Sequence, residues 1–179
     1  FHAVGMEIES VMYHPMSETG YDGPRGTTSY KYDPMFCGFE YDGEVLTIPI
    51  TAEMHAKIHD PEAKAAYYGE PEEYLPEVAF NIQFRAKLNH NMQGCYLSTY
   101  KHGNREYRIV ATQFESHYAR EAFPCIDIPS AKARFLLNIE VPDLAPGETI
   151  LSNMHLESRL PTRFFFWSTP KMPTYLLAW

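Results

Sequence analysis

Two polar residues separated by one position, Gln113 and Glu115, are the best candidates for chemistry in this 179-residue sequence. If residues 112–115 are extended, both side chains point to one face of the strand and Phe114 points to the other. A carboxylate beside a carboxamide can receive an ammonium group, because the glutamate supplies charge and the glutamine supplies a directed acceptor. The pattern alone favours a plainer alternative, a solvated strand face.

A pair of histidines, His55 and His59, has the spacing of a metal site. Two histidines four residues apart on a helix can share a zinc ion, as in HExxH peptidases. Here Ala56 follows the first histidine, so the glutamate that would activate water is missing, and no third ligand follows at a defensible spacing. We therefore predict two surface histidines, with no metal site and no cofactor in this chain.

The candidate nucleophiles lack the partners that catalysis needs. Ser130, Ser152 and Cys125 occur without a GxSxG elbow or a recognisable histidine partner. Cys125 lies between Pro124 and Ile126, which predicts a buried small residue and not a reactive thiolate. We predict no catalytic residue in this chain.

The charge and cysteine content restrict the partners and the compartment. A formal net charge of −8 argues against a nucleic-acid partner or an anionic membrane surface. No apolar run approaches the roughly 18 to 20 residues of a membrane helix. The three cysteines cannot all pair within the chain, which favours a reducing, cytoplasmic location, although one disulfide and one free thiol remain possible.

The elements that would position these residues are mostly short strands. The 13 tyrosines, 11 phenylalanines and 14 prolines favour strands joined by turns. Asp42-Gly43 predicts a hairpin between two strand-like runs. Residues 18–28 are predicted to be a loop. Helix-forming residues predict a small helical insertion around 52–68. The predicted strands are 4–11, 28–32, 39–41, 45–50, 78–88, 107–114, 132–141, 149–152, 164–168 and 174–179. The sequence therefore predicts a mostly antiparallel β-sandwich with little helix.

Four sequence blocks, in the same order, resemble the aminopeptidase N-type zinc metallopeptidases, the gluzincin aminopeptidase family. Residues 112–129 are TQFESHYAREAFPCIDIP, and 131–135 continue as AKARF. Upstream, residues 92–100 are MQGCYLSTY, similar to a family hairpin. Downstream, residues 151–154 are LSNM and 169–178 are TPKMPTYLLA.

The resemblance implies that residues 1–179 are the amino-terminal β-domain of such an enzyme, a saddle-shaped antiparallel β-sandwich. By this resemblance Glu115 would hold the free α-amino group of a peptide substrate, and Gln113 would line the first side-chain subsite. The zinc, HExxH and the other hydrolytic parts would belong to the catalytic domain of the intact parent, expected after Trp179. That domain, and peptides with a free amino terminus, are the implied partners.

Three departures from the family pattern generate further expectations. Ile128 replaces the acidic residue of the usual DEP, residues 53–74 have no counterpart, and the opening strands of the domain are expected to be missing. A sandwich without those strands exposes an edge, so we predict self-association through it, or coverage of the gap by the insertion.

Two alternative functions remain. One is a non-enzymatic scaffold relative without a zinc centre. The other is an unrelated carbohydrate-binding module, which would need an exposed aromatic platform where the strand patterns suggest burial.

Overall fold

Antiparallel strands make up most of the regular structure in this computed structural model, which describes residues 1–15, 17–18, 29–30, 35–58 and 78–179. The strand pairs whose register is defined are all antiparallel. The prediction of a mostly-β, antiparallel chain is therefore confirmed. The two-layer, saddle-shaped arrangement stays a prediction.

The strands are β1 (Met6–Pro15), β2 (Ser17–Glu18), β3 (Ser29–Tyr30), β4 (Met35–Phe36), β5 (Glu40–Tyr41), β6 (Leu46–Thr47), β7 (Val78–Ala86), β8 (Gly94–His102), β9 (Arg105–Gln113), β10 (Asn138–Glu140), β11 (Leu156–Arg159) and β12 (Arg163–Phe166). One α-helix, α1, spans Ala52–Ile58, and two 3-10 turns span Ala119–Glu121 and Thr174–Leu176. The strands form sheets ordered β4-β1-β7 and β10-β12-β11 and the two-stranded pairs β2-β3, β5-β6 and β8-β9. None of the helices in the part of the chain that the structure describes could serve as a membrane span.

The chain divides into two compact units, and the first comprises Phe1–Met6, Gly43–Val45 and Ala86–Trp179. Its core joins residues that are distant in sequence: Phe114, Ala119, Cys125 and Leu177 are buried together. The predicted burial of Cys125 is confirmed, with 7% of the residue exposed. Aromatic side chains, including Phe123, Phe135, Tyr175 and Trp179, pack around these residues.

The second unit comprises Glu7–Asp42 and Leu46–Arg85. Its buried side chains include Tyr13 of β1 and Met54 of α1, and the Tyr13 hydroxyl donates to the Met54 carbonyl at 3.4 Å. Helix α1 begins after Thr51, whose hydroxyl accepts the backbone N–H of Met54 at 3.2 Å, as an N-terminal cap does. This helix confirms the first part of the insertion predicted around 52–68.

Several predicted elements are present where expected. The Asp42-Gly43 hairpin is confirmed, because β5 pairs with β6 and Gly43 has a φ of 97°, which a tight turn requires. The strands predicted at 78–88 and 107–114 are β7 and β9. Residues 59–68 of the insertion, the loop at 19–28 and His59 lie outside the described residues.

Other strand predictions were wrong. The run 174–179 begins with a 3-10 turn, because Pro173 leads into Thr174–Leu176, and short apolar runs suit either conformation. Residues 149–152 form no strand, and only Asn138–Glu140 of 132–141 is one. Strand β11 was missed, since Leu156 is its one apolar residue and an irregularity between Leu156 and Ser158 breaks the alternation.

Candidate functional site

The hairpin formed by β8 and β9 carries the first predicted site residue. Its register runs from His102↔Arg105 at the tip to Gly94↔Gln113 at the base. Gln113 is the last residue of β9, and its side chain is exposed. The base of the hairpin therefore fixes the backbone that presents this carboxamide.

Phe114, the residue between the two candidates, is almost entirely buried, with 1% exposed. Its ring meets Phe123 and Trp179 edge-on, with centroids 5.9 and 5.2 Å away. Two residues earlier, the Thr112 hydroxyl accepts the backbone N–H of Trp179 at 3.1 Å. Phe114 therefore anchors this segment in the core between two exposed polar side chains.

Glu115 lies just beyond the strand, on a turn that covers residues 115–118. The Tyr118 N–H donates to the Phe114 carbonyl at 3.0 Å and closes the turn, and the Glu115–Ser116 peptide bond is cis. The Glu115 side chain is exposed, and among the described residues no cation forms an ion pair with it. Within the described part of the chain, no basic side chain therefore neutralises this carboxylate.

The expectation of an extended 112–115 segment needs one correction. The strand ends at Gln113, because the chain turns at Glu115, so the pleat does not extend through all four residues. The exposed–buried–exposed sequence of Gln113, Phe114 and Glu115 has another cause, the insertion of Phe114 into the core.

A polar network beside this segment was not anticipated from the sequence. Asn89 Nδ2 donates to Glu121 Oε2 at 2.7 Å and to the Gln93 carbonyl at 2.9 Å. Gln93 Nε2 donates to the Tyr118 hydroxyl at 2.8 Å. Gly94, with a φ of 64°, packs against this network, since a Cβ there would lie 3.0 Å from Asn89 Nδ2. The one sequence signal was Gly94 itself, a glycine at the start of a strand.

A second unanticipated feature is the buried carboxylate of Asp127, which is 4% exposed. Its Oδ2 accepts from Arg120 Nε at 3.0 Å, and its Oδ1 accepts from the Thr174 hydroxyl at 2.6 Å. The Asp127 backbone N–H donates to His2 Nδ1 at 3.1 Å. These contacts hold three separated parts of the chain together, so we assign Asp127 a structural role.

The neighbouring thiol of Cys125 is not a nucleophile at neutral pH. Burial, and then the negative charge of Asp127, raise its pKa to about 12. Because the thiolate is the reactive form, this shift suppresses its reactivity.

The described residues also contain no group of three His, Cys, Asp or Glu side chains that could hold a metal ion. The Glu115 carboxylate and the Gln113 carboxamide oxygen can both accept hydrogen bonds from a cation, and the carboxylate also matches its charge.

Comparisons with known proteins agree on one family. A family model described as the peptidase M1 N-terminal domain matches residues 36–176. Aminopeptidase N of Lactococcus lactis subsp. lactis is 46% identical over 112 residues, covering 58% of this chain and 13% of that protein. Puromycin-sensitive aminopeptidase of Caenorhabditis elegans is 42% identical over 109 residues, covering 57% of this chain and 11% of that protein. Aminopeptidase M1-A of Oryza sativa subsp. japonica is 41% identical over 113 residues, 59% of this chain and 12% of that protein. The matched region therefore spans a small part of each relative's length.

Proposed function

The chain belongs to the peptidase M1 N-terminal domain family, and from that premise we propose that it is the non-catalytic β-domain of a zinc aminopeptidase, which removes amino-terminal residues from peptides. In this proposal Glu115 holds the free α-amino group of the substrate, and Gln113 lines the first side-chain subsite. The observation that carries the proposal is the exposure of Gln113 and Glu115 on either side of the buried Phe114. The aminopeptidase names of the relatives support the activity.

The proposed role follows from what each side chain can do. An exopeptidase must recognise a terminal ammonium, and a carboxylate matches it in charge and in hydrogen bonding. A charge-assisted hydrogen bond of this kind contributes about 1.5 to 3 kcal/mol. Because Phe114 is packed in the core, the backbone beside it is fixed, and a bound amino group would be held in one position.

The zinc in this proposal belongs to the whole protein and not to this chain. When bound there, it would polarise the scissile carbonyl and generate the attacking hydroxide. The described residues of this chain supply no three-ligand group for it. Their share is to bind and orient the amino end of the substrate, with the catalytic domain as partner. A cytoplasmic location, the absence of a nucleic-acid partner and self-association through a strand edge remain predictions.

The test is Glu115→Gln in the whole protein, assayed with para-nitroanilides of amino acids. The loss of one charge-assisted hydrogen bond predicts that kcat/KM falls about 10- to 150-fold. Glu106→Gln is the matched control, because Glu106 is exposed at the far end of the same strand, opposite Lys101. Glu106→Gln is expected to leave the kinetics unchanged.

Two results would contradict the proposal, and they differ in what they indicate. Unchanged kinetics in Glu115→Gln would remove the assigned role of that carboxylate. A wild-type whole protein without peptidase activity and without zinc would favour the alternative, a scaffold relative that keeps the β-domain alone. The isolated 179-residue chain is expected to show no peptidase activity in either case.

A further inference from the structure

The position of Glu115 poses a structural problem, because this residue is not part of the β8–β9 sheet. It lies on the turn of residues 115–118, after the last strand residue, Gln113. A substrate amino group that contacts both side chains needs their separation to stay constant. The backbone bond from the Tyr118 N–H to the Phe114 carbonyl closes the turn but does not connect it to the strand beside Gln113.

The Tyr118 side chain makes that connection. Its hydroxyl accepts the Gln93 side-chain N–H at 2.8 Å, and Gln93 immediately precedes Gly94, the strand partner of Gln113. The Tyr118 ring is partly buried and stacks on His117, with centroids 4.8 Å apart. The far end of the Glu115 turn is therefore tied to the strand that pairs with Gln113.

The Gln93 end of this tie is itself held by three contacts. Its carbonyl accepts the Asn89 side-chain N–H at 2.9 Å, and the same Asn89 nitrogen donates to Glu121 Oε2 at 2.7 Å. The Gln93 backbone N–H donates to Asn91 Oδ1 at 3.3 Å, and Asn91 Nδ2 donates to Gln93 Oε1 at 2.9 Å. A side chain anchored in this way can transmit a fixed position to the Tyr118 hydroxyl.

We propose that Gln93 and Tyr118 are positioning residues for amino-terminus recognition, acting through one hydrogen bond that, together with the core packing of Phe114, sets the separation between the Gln113 carboxamide and the Glu115 carboxylate. This inference rests on the proposed function of those two side chains. It adds two residues that touch no substrate and that neither the charge pattern nor the spacing of the sequence singled out.

The test uses Tyr118→Phe and Gln93→Met in the whole protein, with the same para-nitroanilides. Each variant keeps the size of the side chain and removes one partner of the hydrogen bond. Losing a neutral hydrogen bond predicts that KM for substrates with a free amino group rises about two- to tenfold, with kcat within about twofold. The double variant is expected to be no worse than Gln93→Met alone, since both substitutions remove the Gln93–Tyr118 bond and Gln93→Met also removes the bond from Asn91 Nδ2.

Tyr107→Phe is the matched control, because Tyr107 is an exposed tyrosine of the β8–β9 hairpin, distant in register from Gln113, with its ring stacked on Tyr100 at a centroid distance of 5.3 Å. It is expected to leave KM unchanged. A purely structural role of Tyr118 would instead lower the fraction of folded enzyme, which reduces kcat and leaves KM unaltered, and that result would overturn the proposal.

Glu115→Gln, measured in parallel, distinguishes failure of the positioning role from failure of the proposed function. If Glu115→Gln lowers kcat/KM while Tyr118→Phe and Gln93→Met keep the wild-type KM, the positioning role is wrong and the proposed function stands. If Glu115→Gln has no effect, the proposed function fails, and the positioning role fails with it. Additive effects of the two positioning variants would also overturn the single-bond mechanism.

Discussion

Replacing Asp127 by asparagine is expected to destabilise the 179-residue chain by about 3 kcal/mol. In the native structure Oδ2 accepts from Arg120 Nε at 3.0 Å and from the Arg120 backbone N–H at 3.3 Å, while Oδ1 accepts from the Thr174 hydroxyl at 2.6 Å. An asparagine side chain has one acceptor oxygen, so if that oxygen accepts from Arg120 it can no longer accept the Thr174 hydroxyl proton at the second position. It also removes the negative charge beside the guanidinium.

The magnitude follows from how deeply each partner is buried. Removing one member of a buried ion pair costs about 3 to 5 kcal/mol, because the other charge stays desolvated. The Asp127 side chain is 2% exposed, but that of Arg120 is 24% exposed, so water can solvate part of the guanidinium. This partial solvation places the expected loss at the lower end of the range.

The surface pair of Arg163 and Glu140 provides the control, since both side chains are 48% exposed. Glu140→Gln is expected to cost less than about 1 kcal/mol. Urea unfolding followed by circular dichroism measures both variants, with m-values compared to ensure that the same transition is observed. Equal losses in Asp127→Asn and Glu140→Gln would refute the reasoning from burial.

Two further predictions concern Cys125 and Gly94. Burial and then Asp127 raise the Cys125 pKa from 9.0 to about 12, so the folded state retains a proton that the unfolded thiol loses. The stability that this thiol contributes should therefore be intact below about pH 9 and fall above it by about 1.4 kcal/mol per pH unit. Urea unfolding at about pH 8 and pH 10 measures the loss, which should be absent from Cys125→Ala. Identical alkaline profiles would contradict this assignment. Gly94→Ala and Gly103→Ala share the strain of a positive φ, about 1 to 2 kcal/mol, but a Cβ meets Asn89 and Glu121 only at Gly94. Gly94→Ala should therefore cost about 1 to 3 kcal/mol more in thermal or urea unfolding, and equal losses would show that the network can yield.

Local sequence patterns predicted the parts of the fold that depend on neighbouring residues. The Asp42-Gly43 turn is encoded by two adjacent residues, and β7 has a long alternation that leaves little choice of conformation. The run 174–179 has no such alternation, and Pro173 directs it into a 3-10 turn instead. A segment is therefore predictable when it has a turn dipeptide or a long apolar–polar alternation, and it is ambiguous when it has neither.

The candidate site shows the same limit. Gln113 and Glu115 could be selected because charge and spacing suggest a chemistry, but the end of the strand between them could not be located, since it depends on the insertion of Phe114 into the core. The bond between Asn89 and Glu121 joins residues 32 positions apart, and no local pattern indicates such a contact.

The aromatic residues show that residue type alone does not determine burial. Their strand patterns suggested burial, and Phe164 and Phe166 are buried accordingly. Tyr100 and Tyr107 are exposed instead, 52% and 38%, because they lie near the tip of the β8–β9 hairpin, where residues 99–110 are exposed on both faces. The expectation of burial was wrong for this pair.

The packing of Trp179 gives the chain an intrinsic optical probe. Its indole lies 5.2 Å from the Phe114 ring and 6.2 Å from that of Phe123, while the second tryptophan, Trp167, is 38% exposed. Substituting Trp167 by phenylalanine would leave one tryptophan, packed against Phe114 between Gln113 and Glu115, whose emission can be excited selectively above the tyrosine absorption. A change in its emission wavelength would then register any loosening of the Phe114 contact, independently of enzymatic turnover.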